Sequence, residues 1–129
     1  MESGLVRCYE DLILWRKSLD LAAAVHDCTR HFPRSEAFGL ASQLRRAAIS
    51  VPSNVAEGSA RGSTREFVYF LRVARGSLAE LHTQLHLARR GGYVSDQKFE
   101  KLSDDLDEVG RILNSVVSGL KRRQTRRSD

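Results

Sequence analysis

The stretch STREFVYFLRVARGSLAELHTQLHLARR, residues 63–90, decides the fold of this chain. Its apolar residues recur at alternating steps of four and three, and Ser63 and Glu66 have the spacing of a helix capping box. The seam consists of Phe67, Leu71, Ala74, Leu78, Leu81, Leu85 and Ala88. This pattern predicts one uninterrupted amphipathic helix, roughly 40 Å long at 1.5 Å per residue, that ends at Gly91-Gly92.

The same alternation returns after the glycine pair. A fourth segment begins near Ser95 and carries a second seam of apolar residues. The members are Phe99, Leu102, Leu106, Val109, Leu113, Val116 and Leu120. Two seams of equal period joined by a short turn predict a pair of antiparallel helices.

Two further helices are predicted upstream. The first spans residues 11 to about 31 and ends at Phe32-Pro33, because proline disfavours the helical conformation of the residue before it. The second covers about residues 36–57, with Ser35 as its expected N-terminal cap and Gly58 as its expected C-terminal cap. Pro52 lies inside the second helix, where we expect a kink, with a complete break as the alternative. Four helices with short loops predict an all-α, antiparallel up-down-up-down four-helix bundle.

The charge of the chain is concentrated at its C-terminus. The 129 residues include 21 Lys+Arg and 16 Asp+Glu, a formal net charge of +5. The last nine residues hold five basic side chains and one acidic side chain, so they alone contribute +4. We therefore expect an N-terminal extension at residues 1–10, the bundle at 11–120 and a basic disordered tail at 121–129.

Several classes of protein have no support in the sequence. No apolar run exceeds five residues and the start shows no secretory signal, so we expect a cytoplasmic protein with no membrane partner. The motifs of hydrolases, nucleotide-binding loops and metalloproteases are absent, and His82 and His86 lack a third metal ligand. We expect a non-enzymatic protein without metal or cofactor, and no small-molecule substrate is evident.

One side of the third helix carries basic residues with no acid among them. They are Arg65, Arg72, Arg75, His82, His86 and Arg90, which fall within about a third of the helix circumference. Arg61 precedes them in a glycine loop, and Lys121, Arg122 and Arg123 begin the tail. These arginines and this lysine are candidate contacts for the phosphates of structured RNA or another nucleic acid. The alternative is an ordinary solvated helix face.

The opposite flank of the third helix mixes polar and apolar residues, which is typical of a subunit contact. The second helix has a counterpart away from its core face. The candidate interface residues are Phe38, Arg45, Arg46, Ile49, Glu57, Glu66 and Glu80. Arg45 or Arg46 would pair with one of the three glutamates across the interface, and pairing within one chain is the alternative.

The stretch GLASQLRRAAISVPSNVAEG, residues 39–58, carries a family resemblance. It follows FPRSE at residues 32–36 and precedes Phe67, Phe70-Leu71, Ala74, Gly76-Ser77 and Glu80-Leu81. Over about residues 9–120, the chain resembles the bacterial four-helix bundle family of 23S rRNA intervening-sequence proteins. Its members are similar, at a distance, to the accessory proteins of diversity-generating retroelements, basic pentameric barrels that engage a reverse transcriptase and nucleic acid.

The resemblance implies a small cytosolic bundle that assembles into a homo-oligomeric ring, commonly a pentamer, and it implies no known activity. The residues that match the polar signature of the family are interpreted as structural and interface positions. They are Arg45, Arg46, Ser50, Pro52, Asn54, Glu57, Gly58 and Glu80. Two hypotheses of function follow. The first is a bundle that binds structured RNA through the basic stripe, and the alternative is a homo-oligomeric protein–protein scaffold or accessory protein with no nucleic-acid ligand.

Overall fold

The computed structural model describes the backbone of residues 9–128 and the side chains of residues 10–125. Helix α1 spans Tyr9–Thr29, a short 3-10 turn covers Arg34–Glu36, and helix α2 spans Leu40–Ala60. Helix α3 spans Thr64–Arg90 and helix α4 spans Asp96–Ser128. Residues 1–8 of the expected N-terminal extension lie outside the described residues. Its last two residues, Tyr9 and Glu10, already belong to α1.

The four helices pack as a bundle in which each helix contacts the next and α1 contacts α4. Helices α3 and α4 are antiparallel, since Arg75 bonds to Asn114 while Arg89 lies over the ring of Phe99. The predicted all-α four-helix bundle is confirmed. None of the described helices is long and apolar enough to cross a membrane.

The core lies between the two predicted seams and the inner faces of α1 and α2. All fourteen seam residues of α3 and α4 are buried. From α1 and α2, the core receives the fully buried side chains of Leu14, Leu21, Leu44, Val51 and Val55. Burial of each such large apolar side chain stabilises the fold by roughly 1.5–3 kcal/mol, so the heptad pattern accounts for most of the packing.

The start of α2 differs from the prediction. The helix begins at Leu40, and Ser35 lies in the preceding 3-10 turn without capping it. Instead, the Glu36 carboxylate accepts a hydrogen bond from the backbone N–H of Leu40 at 3.2 Å and another from the Tyr93 hydroxyl at 3.2 Å. One acidic side chain therefore ties the first turn of α2 to the loop between α3 and α4.

Two residues that could have interrupted or ended the second helix lie inside α2. The helix is continuous through Pro52, so the alternative of a complete break is wrong. Gly58 is not the C-terminal cap, because α2 continues to Ala60 and Gly58 is buried against α3. A Cβ atom at position 58 would lie 2.8 Å from the Phe70 Cβ and 2.9 Å from the Phe67 Cδ1. Glycine is present there because the two helices approach closely.

The ends of α3 follow the prediction, whereas the end of α4 does not. Ser63 Oγ accepts from the Glu66 backbone N–H at 3.2 Å and lies 3.0 Å from Glu66 Oε1, and α3 ends at Gly91. Helix α4 continues to Ser128, although we expected the bundle to end at Leu120 and a disordered tail to follow. Residues 121–127 contain neither Gly nor Pro, and Lys, Arg and Gln favour helices, so nothing in this segment stops α4. Asp129 lies outside the described residues.

Candidate functional site

Arg61 was a candidate phosphate contact, and the structure places it among acids. Its Nε lies 3.0 Å from Glu57 Oε2, and its Nη1 lies 3.7 Å from Glu66 Oε2. The guanidinium carbon also lies 5.0 Å from the centre of the Phe70 ring. Arg61 therefore joins the end of α2 to the start of α3, and its charge is largely balanced within the chain.

The basic stripe of α3 divides along its length. Its middle lies at the boundary with α4, where Arg75 Nη1 donates to Asn114 Oδ1 at 3.3 Å. The rings of His82 and His86 are 4.7 Å apart, and the His86 ring lies 4.8 Å from that of Phe99. The two histidines pack at the boundary of α3 and α4, whereas Arg75 is exposed there and stays a candidate phosphate contact.

The environment of His86 favours its neutral form. Burial, the neighbouring His82 and the guanidinium groups of Arg89 and Arg90 all lower the pKa of His86 below its ordinary value. In the described part of the chain, no three His, Cys, Asp or Glu side chains are grouped so as to hold a metal ion. The histidine pair is a packing feature of the α3–α4 boundary.

The remaining candidate phosphate contacts lie near one end of the bundle, except Arg90. Arg65 and Arg72 are exposed on α3, and Lys121, Arg122 and Arg123 are exposed on α4. Because the two helices are antiparallel and Arg75 is level with Asn114, residues 65–72 of α3 run beside residues 117–124 of α4. We call the exposed basic residues here the basic end. Arg90 is exposed at the opposite end of α3.

The candidate interface residues fall into two groups. Glu57 and Glu66 contact Arg61 of the same chain, and Arg45 Nε donates to Thr29 Oγ1 on α1 at 2.7 Å. Among the described residues, neither Arg45 nor Arg46 forms an ion pair with the candidate glutamates, so the alternative of pairing within one chain finds no support here, and pairing across an interface stays a prediction. The second group consists of apolar side chains on the surface, since Phe38 is 98% exposed and Ile49 is 54% exposed.

A polar groove of about 450 Å³ runs between α2 and α3 on their outer side. Its lining residues are Gln43, Arg46, Ala47, Ser50, Ser77, Glu80 and Gln84. Asn54 Nδ2 donates to Ser50 Oγ at 2.9 Å, the Ser50 and Ser77 hydroxyls meet at 2.8 Å, and Ser77 Oγ donates to the Val73 carbonyl at 3.3 Å. This chain of hydrogen bonds holds the floor of the groove between the helices.

Gln84 is one of the groove residues that were not among the candidate site residues predicted from the sequence. Its side chain is 9% exposed, and its buried Oε1 has no hydrogen-bond partner among the described residues. A polar residue in a mixed flank gives no sign of this, because burial of Gln84 depends on how closely α2 approaches α3. Among the described residues, the groove brings together four side chains with free hydrogen-bonding capacity, Gln43, Arg46, Glu80 and Gln84.

The comparisons with known proteins identify the family without assigning an activity. A solved structure of a protein of unknown function from the S23 ribosomal protein family of Bacteroides thetaiotaomicron VPI-5482 has the same fold, with a TM-score of 0.80 and 22% identity. The match covers 85% of this chain and 99% of that one. Comparison with curated proteins gives no significant match. The family model described as 23S rRNA-intervening sequence protein matches residues 10–115, and the chain belongs to that family.

Proposed function

We propose that this bundle is a non-enzymatic protein that binds the phosphate backbone of structured RNA at its basic end. The supporting observation is the continuation of α4 beyond residue 120, beside the first turns of α3. A helical segment holds Lys121, Arg122 and Arg123 at fixed spacing, on the same end of the bundle as Arg65 and Arg72. An array of that kind matches a series of phosphates better than a flexible tail does.

The distribution of acids strengthens the proposal. Residues 109–128 of α4 contain no Asp or Glu, whereas Asp104, Asp105, Asp107 and Glu108 precede them. On the facing part of α3, the acid Glu66 is occupied by Arg61 and by its own capping hydroxyl. The N-terminus of α3 adds partial positive charge at the same place. In the part of the chain that the structure describes, the basic end therefore presents cations that are not paired with a neighbouring carboxylate.

Charge variants of the full chain test this proposal. Arg65→Gln with Arg72→Gln should weaken binding of a structured RNA and reduce the slope of log K against log salt by nearly one unit for each phosphate contact that is lost. The matched control is Arg34→Gln, because Arg34 is exposed in the 3-10 turn at the other end of the bundle. Equal loss in both proteins, or no loss in either, would show that the basic end does not bind RNA.

Self-association is the second candidate function, and exposed apolar side chains favour it. Besides Phe38 and Ile49, the outer side of α3 exposes 61% of Tyr69 and 38% of Val73. Large apolar residues of this kind mark interfaces when they lie close together. In this proposal the chain forms a homo-oligomeric ring, a pentamer by resemblance to the family, and acts as a scaffold.

Sedimentation of interface variants tests the second candidate. Ile49→Lys with Tyr69→Lys should convert the assembly to monomers while the helical circular dichroism stays unchanged. Leu19→Lys is the control, because Leu19 is 41% exposed on α1, a helix that does not contact α3. A wild-type protein that sediments as a monomer at every concentration would contradict this candidate.

A further inference from the structure

An exposed aromatic ring lies beside the arginines of the basic end. Tyr69 of α3 is 61% exposed, one helical turn after Arg65 and one turn before Arg72. At about 100° per residue, both arginines lie within about 60° of Tyr69 around the helix axis. Both are exposed as well. The ring and the two guanidinium groups therefore share one outward-facing surface of α3.

The Tyr69 ring contacts one neighbouring ring, which leaves at least one of its faces open. Its centre lies 5.1 Å from the centre of the Phe70 ring, and the two rings are nearly perpendicular, at 86°. Perpendicular rings meet edge to face, so Phe70 covers no more than one face of Tyr69. Among the described residues, Tyr69 has no second ring partner and no cation over its ring.

Phe70 is itself held in place, and this limits the movement of the tyrosine that packs on it. Its Cβ would lie 2.8 Å from a Cβ added at Gly58, because α2 and α3 approach closely there. The Arg61 guanidinium carbon lies 5.0 Å from the centre of the Phe70 ring. A ring that is ordered before a ligand binds loses less conformational entropy on binding. Tyr69 is therefore a preorganised flat surface at the edge of the basic end.

The charge around Tyr69 favours a nucleotide strand as its ligand. In the described part of the chain, neither Arg65 nor Arg72 is paired with a carboxylate. An apolar partner that covered Tyr69 would remove water from both guanidinium groups without replacing it, which is unfavourable. A nucleotide strand supplies a base for the ring and phosphates for the arginines, the combination that single-strand binding sites use.

We propose that Tyr69 stacks on an unpaired base of the RNA that is bound at the basic end. This proposal rests on the proposed function of the basic end and adds the class of RNA, one with a single-stranded loop, bulge or end at this point. Bases inside a duplex stack on one another, whereas an unpaired base is free to stack on an aromatic side chain. Arg65 and Arg72 contact the phosphates beside that base. Because every base has a flat face, this contact selects unpaired RNA without selecting a sequence.

Three probes with equal numbers of phosphates test the proposal on the full chain. They are a single-stranded oligouridylate, the same strand with abasic ribose at every position, and a blunt RNA duplex. Tyr69→Ala should weaken binding of the oligouridylate about 5- to 150-fold, the effect of losing one base–aromatic stack. Its affinity for the abasic strand and for the duplex should equal that of the wild type, because these probes offer phosphates and no unpaired base.

Control variants separate stacking from contact with phosphate. Tyr69→Phe keeps the ring and should bind the oligouridylate as the wild type does. Phe38→Ala removes a 98% exposed ring at the other end of the bundle and should have no effect. The slope of log K against log salt should be the same in Tyr69→Ala as in the wild type, because no cation is lost, whereas Arg65→Gln should reduce it.

Two results would overturn the proposal while leaving RNA binding at the basic end standing. The first is an unchanged affinity of Tyr69→Ala for the oligouridylate, and the second is an equal loss of affinity for the abasic strand. A smaller sedimenting mass of Tyr69→Ala would assign the ring to a subunit contact and would also overturn it. If the wild type binds none of the three probes, the proposed function fails together with this proposal.

Discussion

Gly58 of α2 lies so close to Phe70 of α3 that a Cβ on the glycine would be 2.8 Å from the Phe70 Cβ. The same added Cβ would lie 3.2 Å from the Phe67 carbonyl oxygen and 2.9 Å from the Phe67 Cδ1. The two helices cannot move apart without disturbing Phe67, which is fully buried in the core. The separation of α2 and α3, and with it the width of the polar groove, is therefore set at this contact.

Gly58→Ala should destabilise the bundle by about 1–3 kcal/mol, because the added methyl group forces α2 and α3 apart. This loss should exceed the gain in helix propensity that alanine brings. Gly76→Ala is the matched control, since Gly76 lies inside α3 and nothing is within 4 Å of an added Cβ. That variant should be more stable than the wild type by about 0.5–1 kcal/mol. Urea unfolding curves measure both, and stabilisation of both variants would show that the helices are not in close contact.

Leu78→Asp should abolish the cooperative fold, because it places a charge among the buried seam residues without a partner. The neighbouring change Ala79→Asp lies on the exposed side of α3 and should leave the fold intact. Far-ultraviolet circular dichroism and thermal unfolding distinguish the two. A native helical spectrum with a sharp transition for Leu78→Asp is incompatible with this core.

Lowering the pH should weaken the α3–α4 boundary through His86. The pKa of His86 is lowered in the folded protein by burial, by His82 and by Arg89 and Arg90, so the unfolded chain binds its proton first. The stabilisation from the neutral imidazole is complete above the ordinary value of 6.5 and is lost as the pH falls below it. When the pH is lowered from about 7.5 to about 5.5, the free energy of unfolding should therefore fall less in His86→Gln than in the wild type.

His26→Gln supplies the control for the experiment on His86, because His26 is a histidine exposed on α1. The free energy of unfolding should change between the two pH values by the same amount in this variant as in the wild type. An identical fall in stability for His86→Gln and the wild type would remove His86 from the account of the α3–α4 boundary.

Arg61→Ala should change RNA binding less than Arg65→Ala, although the sequence gives both residues the same role. Arg61 is balanced by Glu57 and Glu66, whereas Arg65 is exposed on α3. Arg61→Ala should lower the free energy of unfolding by no more than about 1 kcal/mol, because its ion pairs are half-exposed and screened by water. Equal losses of RNA affinity at the two positions would mean that Arg61 leaves its acids to contact phosphate.

The periodic parts of the fold were predictable and the contacts that depend on register were not. The seams of α3 and α4 follow from spacing alone, since residues four and three apart share one face. Gly58 was misinterpreted because a glycine that ends a helix and one that admits a neighbouring ring look identical in a sequence. Ser35 lost its predicted role to Glu36 for a similar reason, as both can cap a helix.

The candidate sites depend still more on tertiary register. The exposure of the arginines on α3 follows from helical phase, but the acids around Arg61 become neighbours only when α2 folds back on α3. The polar groove requires Ser50 of α2 to be level with Ser77 of α3, twenty-seven residues away. Helix propensity favours continuation of α4 beyond Leu120, whereas the run of basic charge led us to expect disorder.

Binding of a structured RNA by the full chain and by a chain truncated after Leu120, titrated from low to physiological salt, tests the central claim most directly. We expect the truncated chain to bind more weakly but still in a salt-dependent manner, because Arg65 and Arg72 remain on α3. The full chain should have the steeper slope, since Lys121, Arg122 and Arg123 extend the same surface. Complete loss of binding with the tail, or binding by neither protein, would contradict a basic end built from both helices.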